Sequence, residues 1–233
     1  MEVFFDYYHL FVFVLSLLWL ALFISRKDLR REMLILGVFA IFLMPFIFAI
    51  NDEGSTQVDL GFRMIGVLDL LLSFTLAGIS GVIFHLLFGK HYHKLPKHEK
   101  TQWKKEESHA QIYIMRLFII FLLFTWAVVL LNLLFALSVP EAFFIAAIMT
   151  AIYIVSHRHD LIADSLWSAF LTAFIVFTAS TLTSTITGID ISIAPIASNR
   201  MILDVPMDLL LWALGAGLVL GPLYEYVRTL ELK

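Results

Sequence analysis

Seven runs of apolar residues, at roughly 8–25, 33–50, 64–88, 112–137, 140–156, 161–187 and 206–227, take up most of this 233-residue chain. Each is close to the ~20 residues a helix needs to cross a ~30 Å hydrocarbon layer. Lipid offers no partner to an unpaired peptide group, so runs of this kind must close their hydrogen bonds internally, as helices. Apolar residues make up 61% of the chain and charged residues 15%, against about 45–50% and about 25% in soluble domains. An all-α integral membrane protein with seven transmembrane helices is expected. The start, Met1-Glu2-Val3-Phe4-Phe5-Asp6, lacks the basic region and small-residue cleavage site of a signal peptide, so the first run should be retained. The chain has no cysteine, which excludes disulfides, thiolate chemistry and Cys-ligated metals.

Charge gives the expected orientation. Of the 16 basic residues, all but Arg63 and Arg200 fall on one side of the predicted map, in connections one, three and five, in the tail, and at Arg116 just inside helix four. The opposite side carries Asp6, Asp52, Glu53, Asp59, Asp190 and Asp204. Insertion resists moving Lys and Arg across the bilayer, so the predicted topology is N-out and C-in, most naturally in a bacterial or archaeal cytoplasmic membrane. The lysine-rich segment 90–105 is an expected contact for anionic lipid head groups. No nucleic-acid partner is expected.

The chain also resembles itself. Ser25-Arg26-Lys27-Asp28-Leu29 matches His157-Arg158-His159-Asp160-Leu161 at an offset of 132. At an offset of 140, Ala77-x-x-x-Gly81 falls on Gly217-x-x-x-Gly221, and Phe84-His85 on Tyr224-Glu225. Two parallel three-helix repeats joined by a linker helix are therefore predicted. They occupy 1–88 and 138–233, with a basic loop at 89–111 and the linker helix at 112–137. Parallel repeats in membranes tend to place a shared site between the halves. Ala77, Gly81, Gly217 and Gly221 are expected to let helices three and seven pack closely.

Charged groups at membrane depth are costly, so they face protein or mark a function. Asp69 in helix three and Asp208 in helix seven occupy similar depths. A carboxyl held in low dielectric retains its proton until a strong acceptor removes it, which suits a general acid. The competing reading is a first-turn acid favoured by free N–H groups, and it also covers Glu141 after Pro140 and Asp164. His85 and Glu225 end the same two helices and fit side chains reaching for water. Arg116 is placed to pair with either. Asn132 reads as interhelical glue. The close histidine pairs, His91 with His93 and His157 with His159, lie in cationic loops, where ligation starts poorly, and no metal site is predicted.

Asp204-Val205-Pro206-Met207-Asp208-Leu209-Leu210-Leu211-Trp212, with Gly215, Gly217 and Leu223-Tyr224-Glu225, resembles the Pro-x-Glu-Glu-x-x-(Phe/Trp) helix of the lycopene cyclase domain family. Those are the small membrane carotenoid cyclases of the bacterial heterodimeric and fungal bifunctional type. Ile65-Gly66-Val67-Leu68-Asp69-Leu70-Leu71-Leu72-Ser73-Phe74 is similar to the same helix in the first half, and the Arg-x-Asp-Leu connections resemble the family's too. Where the family has two adjacent acids, this chain has Leu68-Asp69 and Asp208-Leu209.

The resemblance implies acid-catalysed cyclisation of a carotenoid end group, a net isomerisation of a polyene reached from lipid. Asp69 and Asp208 would be catalytic. Phe74 and Trp212 would line the substrate and stabilise a carbocation with their π faces. Tyr224, Glu225, His85 and Arg116 would support them. The cofactor is left open, as is assembly into a homo- or heterodimer. Two alternatives stand beside it: a non-catalytic scaffold or carotenoid-binding subunit, and a small-molecule transporter built like the SWEET carriers. A retinal protein is excluded, because 206–227 contains no lysine for a Schiff base.

Overall fold

The computed structural model describes residues 2–48, 66–89, 92–93, 105–188, 200–203, 205–228 and 231–232, and the side chains of 7–43, 66–89, 115–188, 200–203 and 205–227. Most of the basic segment 90–105, Arg63, and the acids at 52, 53, 59, 190 and 204 lie outside the described residues. The helices are α1 (Glu2–Ser25), α2 (Arg30–Phe48), α3 (Val67–Ser80), α4 (Ile83–Phe88), α5 (Lys105–Phe135), α6 (Val139–His157), α7 (Ile162–Thr187) and α8 (Met207–Arg228). A single 3-10 turn, His159–Leu161, leads into α7. Four two-residue strands, β1 (Tyr92–His93), β2 (Met201–Ile202), β3 (Val205–Pro206) and β4 (Glu231–Leu232), pair as β1 with β4 and β2 with β3, both antiparallel.

Six segments among the described residues are long and apolar enough to cross a membrane: Tyr7–Ser25, Val67–Phe88, Met115–Phe135, Val139–His157, His159–Thr187 and Met207–Val227. The run at 33–50 forms α2, which is not one of the six. The protein is therefore a multi-pass helical membrane protein. Its surface agrees with that class. Phe13, Leu17, Phe42, Phe118, Leu133, Phe170 and Ile186 point outward. The interior instead takes Ala142, Ala146, Ala147, Ala213 and Ala216, whose small side chains let backbones close up where lipid supplies no hydrophobic drive.

Helix ends follow local chemistry. Ser138 caps α6, with its N–H and Oγ both donating to Glu141 Oε2 (3.2 and 2.9 Å), and Pro140 occupies the first turn, where its missing N–H costs nothing. Asn132 is not interhelical glue: its Nδ2 donates to Leu137 O at 2.9 Å and ties the end of α5 into this turn. Arg30 donates to the carbonyls of Phe23 and Ile24 (2.6 and 3.0 Å), closing the C-terminus of α1. Pro222 lies inside α8 and cannot donate to Leu218 O. Ser165 Oγ of α7 donates to that carbonyl instead, at 2.8 Å.

α8 is the most enclosed of the six spans and packs against α6, α7 and α3. α3 packs against α2 and α1. Ala77 joins Ala216, Leu220 and Leu223 of α8 in one buried cluster, and a Cβ on Gly81 would come 3.4 Å from Leu220 O. The other two small residues differ from expectation. A Cβ on Gly217 would lie 2.4 Å from Ala169 Cα and 2.5 Å from Ser168 O, and one on Gly221 would lie 2.5 Å from Ser168 Cβ. Both therefore seat α8 on α7, not on α3. The reason is that one helix has more than one packed face, and the tightest approach for α8 is to its neighbour in sequence.

Contacts recur at the two sequence offsets. A Cβ on Gly81 would strike Leu36 as one on Gly221 would strike Ser168, and these pairs are related by 140 and 132 residues. Arg26 holds Asp28 through two hydrogen bonds (3.1 and 3.0 Å), and Arg158 holds Asp160 likewise (2.8 and 2.5 Å). Leu29 and Leu161, which follow these pairs, are both fully buried.

Candidate functional site: a buried imidazole and three carboxyls

Four titratable side chains meet at the end of the bundle where Arg26, Arg30 and Arg158 lie. Glu32 comes from the first turn of α2, His85 from α4, Asp164 from the first turn of α7 and Glu225 from the last turn of α8. None is more than 1% exposed. His85 Nε2 is 2.8 Å from Glu225 Oε1 and 4.0 Å from Asp164 Oδ2. One ligand-type atom from each of Glu32, His85 and Glu225 falls within 4.8 Å of the others. Asp164 Oδ1 accepts a hydrogen bond from Ser168 Oγ at 3.1 Å, while Oδ2 is buried with no hydrogen-bond partner.

Local structure explains how each group is tolerated. Glu32 and Asp164 occupy first turns, where the free N–H groups and the helix dipole favour negative charge. Glu225 has the opposite problem, a carboxyl at a C-terminal end, and the His85 imidazole compensates for it. The break at Gly81-Val82 between α3 and α4 sets the short helix carrying His85, and Pro222 inside α8 precedes Glu225 by three residues. Leu29, Met33, Leu36, Leu161 and Leu223 are fully buried as well. Three carboxyls and one imidazole in such surroundings cannot all be charged without compensation, so the quartet must share protons or hold a cation. Chemically it can give up a proton at one atom and accept one at another.

The two pairs stand at equivalent places in the sequence. Glu32 and Asp164 are 132 residues apart, and His85 and Glu225 are 140 apart.

The other expected site residues lie elsewhere. Asp69 Oδ2 accepts from Gly66 N at 3.0 Å, closing the N-terminus of α3, and its Oδ1 accepts a short hydrogen bond from Tyr8 Oη. Asp208 is half-buried in the first turn of α8. It is 17 residues from Glu225, which at 1.5 Å per residue puts these groups about 25 Å apart along the helix. Phe74 packs on Trp19 (ring centroids 5.0 Å apart), whereas Trp212 packs on Phe143 (4.1 Å), so the two aromatics belong to separate groups. Tyr224 is buried beside the quartet in sequence, among Leu220, Leu223 and Val227. Arg116 makes no ion pair with His85 or Glu225.

Sequence reasoning missed Glu32, which ends the charged run Arg30-Arg31-Glu32 and reads as a solvated helix start. It treated Asp164 as a helix-start acid and His85 and Glu225 as reaching for water, whereas all are enclosed. The offsets that relate the self-similar segments also relate these residues, and that was the available signal. Comparison of the chain with protein-family models, curated proteins and solved structures gives no match.

Proposed function

We propose that this protein is a membrane isomerase of the lycopene cyclase type, which closes a carotenoid end group by adding one proton and removing another. The supporting observation is the fully buried quartet Glu32–His85–Asp164–Glu225, a set that holds an acid and a base a few ångströms apart. Ring closure conserves all atoms of the substrate. Protonation of a terminal alkene makes a tertiary cation, attack by a neighbouring double bond forms the ring, and loss of a different proton restores neutrality. A proton-exchanging cluster returns to its starting state after such a cycle and needs no redox partner. In this reading the chain has seven spans including α2, is N-out and C-in, and forms two parallel three-helix repeats with the quartet between them. Segment 90–105 then faces anionic head groups in the cytoplasmic leaflet.

Asp69 and Asp208 are the rival acid pair at the far end of the bundle, and their positions allow a direct choice. The test is pigment analysis of a lycopene-accumulating bacterial host expressing wild type, Glu225→Gln or Asp208→Asn. Cyclic carotenoid from wild type and Asp208→Asn but not from Glu225→Gln supports the quartet. The reverse pattern moves the chemistry to Asp208. Lycopene left untouched by folded wild type, alone and with a cyclase partner subunit supplied, refutes the reading. A scaffold role is favoured by one observation, the cross-helix bond from Tyr8 to Asp69, which is a tie and not a reactive arrangement.

A further inference from the structure

We propose that the quartet is a binding site for one divalent first-row cation, with Glu32, His85 and Glu225 as ligands and the unpartnered Asp164 carboxyl beside them. It is the same centre as in the proposed function, but it follows from geometry alone and holds whatever reaction the protein performs. The donors come from α2, α4, α7 and α8, so a bound ion would join both halves of the chain.

The first support is distance. Ligand atoms of Glu32, His85 and Glu225 fall within 4.8 Å of one another. Nitrogen and oxygen ligands bind Zn2+ tetrahedrally at about 2.0–2.2 Å, which puts two ligand atoms on one ion about 3.4 Å apart. The wider contacts must draw in by about an ångström and a half at most, while the 2.8 Å contact of His85 with Glu225 opens slightly. The second is Asp164. Its Oδ2 is fully buried, has no hydrogen-bond partner and lies 4.0 Å from His85 Nε2, one of the three ligand atoms. A buried carboxylate oxygen left in that state costs free energy that a ligated cation removes. The donor set, one imidazole with carboxylates and no thiolate, suits Zn2+, Mn2+ or Fe2+ better than Cu+, which prefers sulfur.

Ligands must be deprotonated to bind, so uptake should release protons from the quartet and weaken as pH falls. Cation and protons are then alternative ways of neutralising one cluster.

The test uses the full chain in detergent micelles, purified through a tag that carries no histidine. Chelator-treated protein is titrated with Zn2+ and separately with Mn2+, and bound metal is measured by mass spectrometry after desalting. Thermal unfolding is followed in parallel. The expected result is one equivalent of metal per chain, a higher Tm on loading and proton release on binding. Co2+ should give visible absorption bands of a nitrogen–oxygen site. Glu225→Gln and Asp164→Asn keep side-chain shape and should lose the equivalent or weaken it at least tenfold. A variant with His91, His93, His98, His157 and His159 all changed to Ala should keep it. Folded wild type that binds less than a tenth of an equivalent of either ion overturns the proposal. So does metal that survives Glu225→Gln and Asp164→Asn but disappears with the loop histidines. If the quartet variants do not fold, the wild-type titration and the loop-histidine variant still decide the matter. No substrate enters the assay, so its failure leaves the cyclase reading to be judged by pigments alone.

Discussion

Replacing His85 and Glu225 by leucine, singly and together, separates what their contact does for the fold from what it does for chemistry. His85 Nε2 and Glu225 Oε1 are 2.8 Å apart and both side chains are fully buried. His85→Leu leaves the Glu225 carboxyl without its imidazole, beside Asp164 and Glu32. Removing one partner of a buried ionic pair costs about 3–5 kcal/mol. Glu225→Leu leaves a neutral imidazole short of one hydrogen bond, which costs about 1–3 kcal/mol. The double variant removes the pair, fills a similar volume with apolar atoms and should lie within about 2 kcal/mol of wild type. The two single losses therefore exceed the double loss by about 2 kcal/mol or more, a large coupling energy. Reversible unfolding in mixed SDS and mild-detergent micelles, followed by far-UV circular dichroism, reads all four proteins. The folded double variant should make no cyclic carotenoid. Additive losses, with coupling below about 0.5 kcal/mol, would show that the pair does not act as a unit and refute the reasoning.

Other expectations concern packing, caps and topology. Gly217→Ala forces a Cβ to 2.4 Å from Ala169 Cα and 2.6 Å from Ala169 N, backbone atoms that cannot turn aside; it should cost about 1–3 kcal/mol in the same unfolding assay. Gly66→Ala has its nearest foreign atom at 3.4 Å and serves as the tolerated control, within about 1 kcal/mol of wild type. Asp69→Asn keeps only one of the two oxygens that accept from Gly66 N and Tyr8 Oη, so it should cost about 1 kcal/mol and leave any product unchanged; abolished product with intact folding would return Asp69 to the reaction. Reporters fused after Lys105 and Lys233 should be cytoplasmic, and those near Glu53 and Ser198 external, following the one-sided distribution of basic residues. An external signal after Lys105 would invert the map.

The helices were legible because lipid leaves the backbone one solution per apolar run, and six of the seven expected runs form segments long and apolar enough to cross a membrane, the run at 33–50 being the exception. The break between α5 and α6 was legible for a second reason. Ser138-Val139-Pro140-Glu141 contains both a cap and a proline that the first turn accepts, and the structure places the break at 136–138. Which neighbour a small residue serves was not legible. Spacing shows that Gly217 and Gly221 share one face of α8, but both α3 and α7 lie within reach of that helix, and only the three-dimensional arrangement selects α7. Asn132 illustrates the same limit. A polar side chain in an apolar run must find a partner, and the carbonyl five residues on at Leu137 was as available as another helix.

For the site, the difficulty lies in how position along a span is converted into burial. Asp69 and Asp208 attracted attention because they are charges inside apolar runs, yet a first-turn acid has N–H groups of its own to satisfy it, and Asp69 uses one. Glu32, His85, Asp164 and Glu225 looked cheap because each is near a span end with water a turn away. That inference treats each helix alone. At this end of the bundle the four ends converge, and each of these side chains is buried there. In a chain built as two parallel repeats, as proposed above, such convergence would be systematic, since a polar residue at a helix end in one half would recur in the other and both copies would meet between the halves. Glu32 with Asp164 and His85 with Glu225 are two such pairs, related by the offsets that also relate Arg26-Lys27-Asp28 to Arg158-His159-Asp160. In a repeated membrane chain the informative charge is therefore the one whose repeat mate is also polar. Asp69 and Asp208 fail that criterion, since Asp69 is matched by Leu209 and Asp208 by Leu68. The same criterion makes a further demand on the quartet: if the two halves are parallel repeats, exchanging the members of one pair, Glu32→Asp with Asp164→Glu, should preserve metal uptake and folding far better than Asp164→Asn does, because the two positions would then be equivalent. Swapped protein that binds metal no better than Asp164→Asn would show that the two halves do not contribute equivalently.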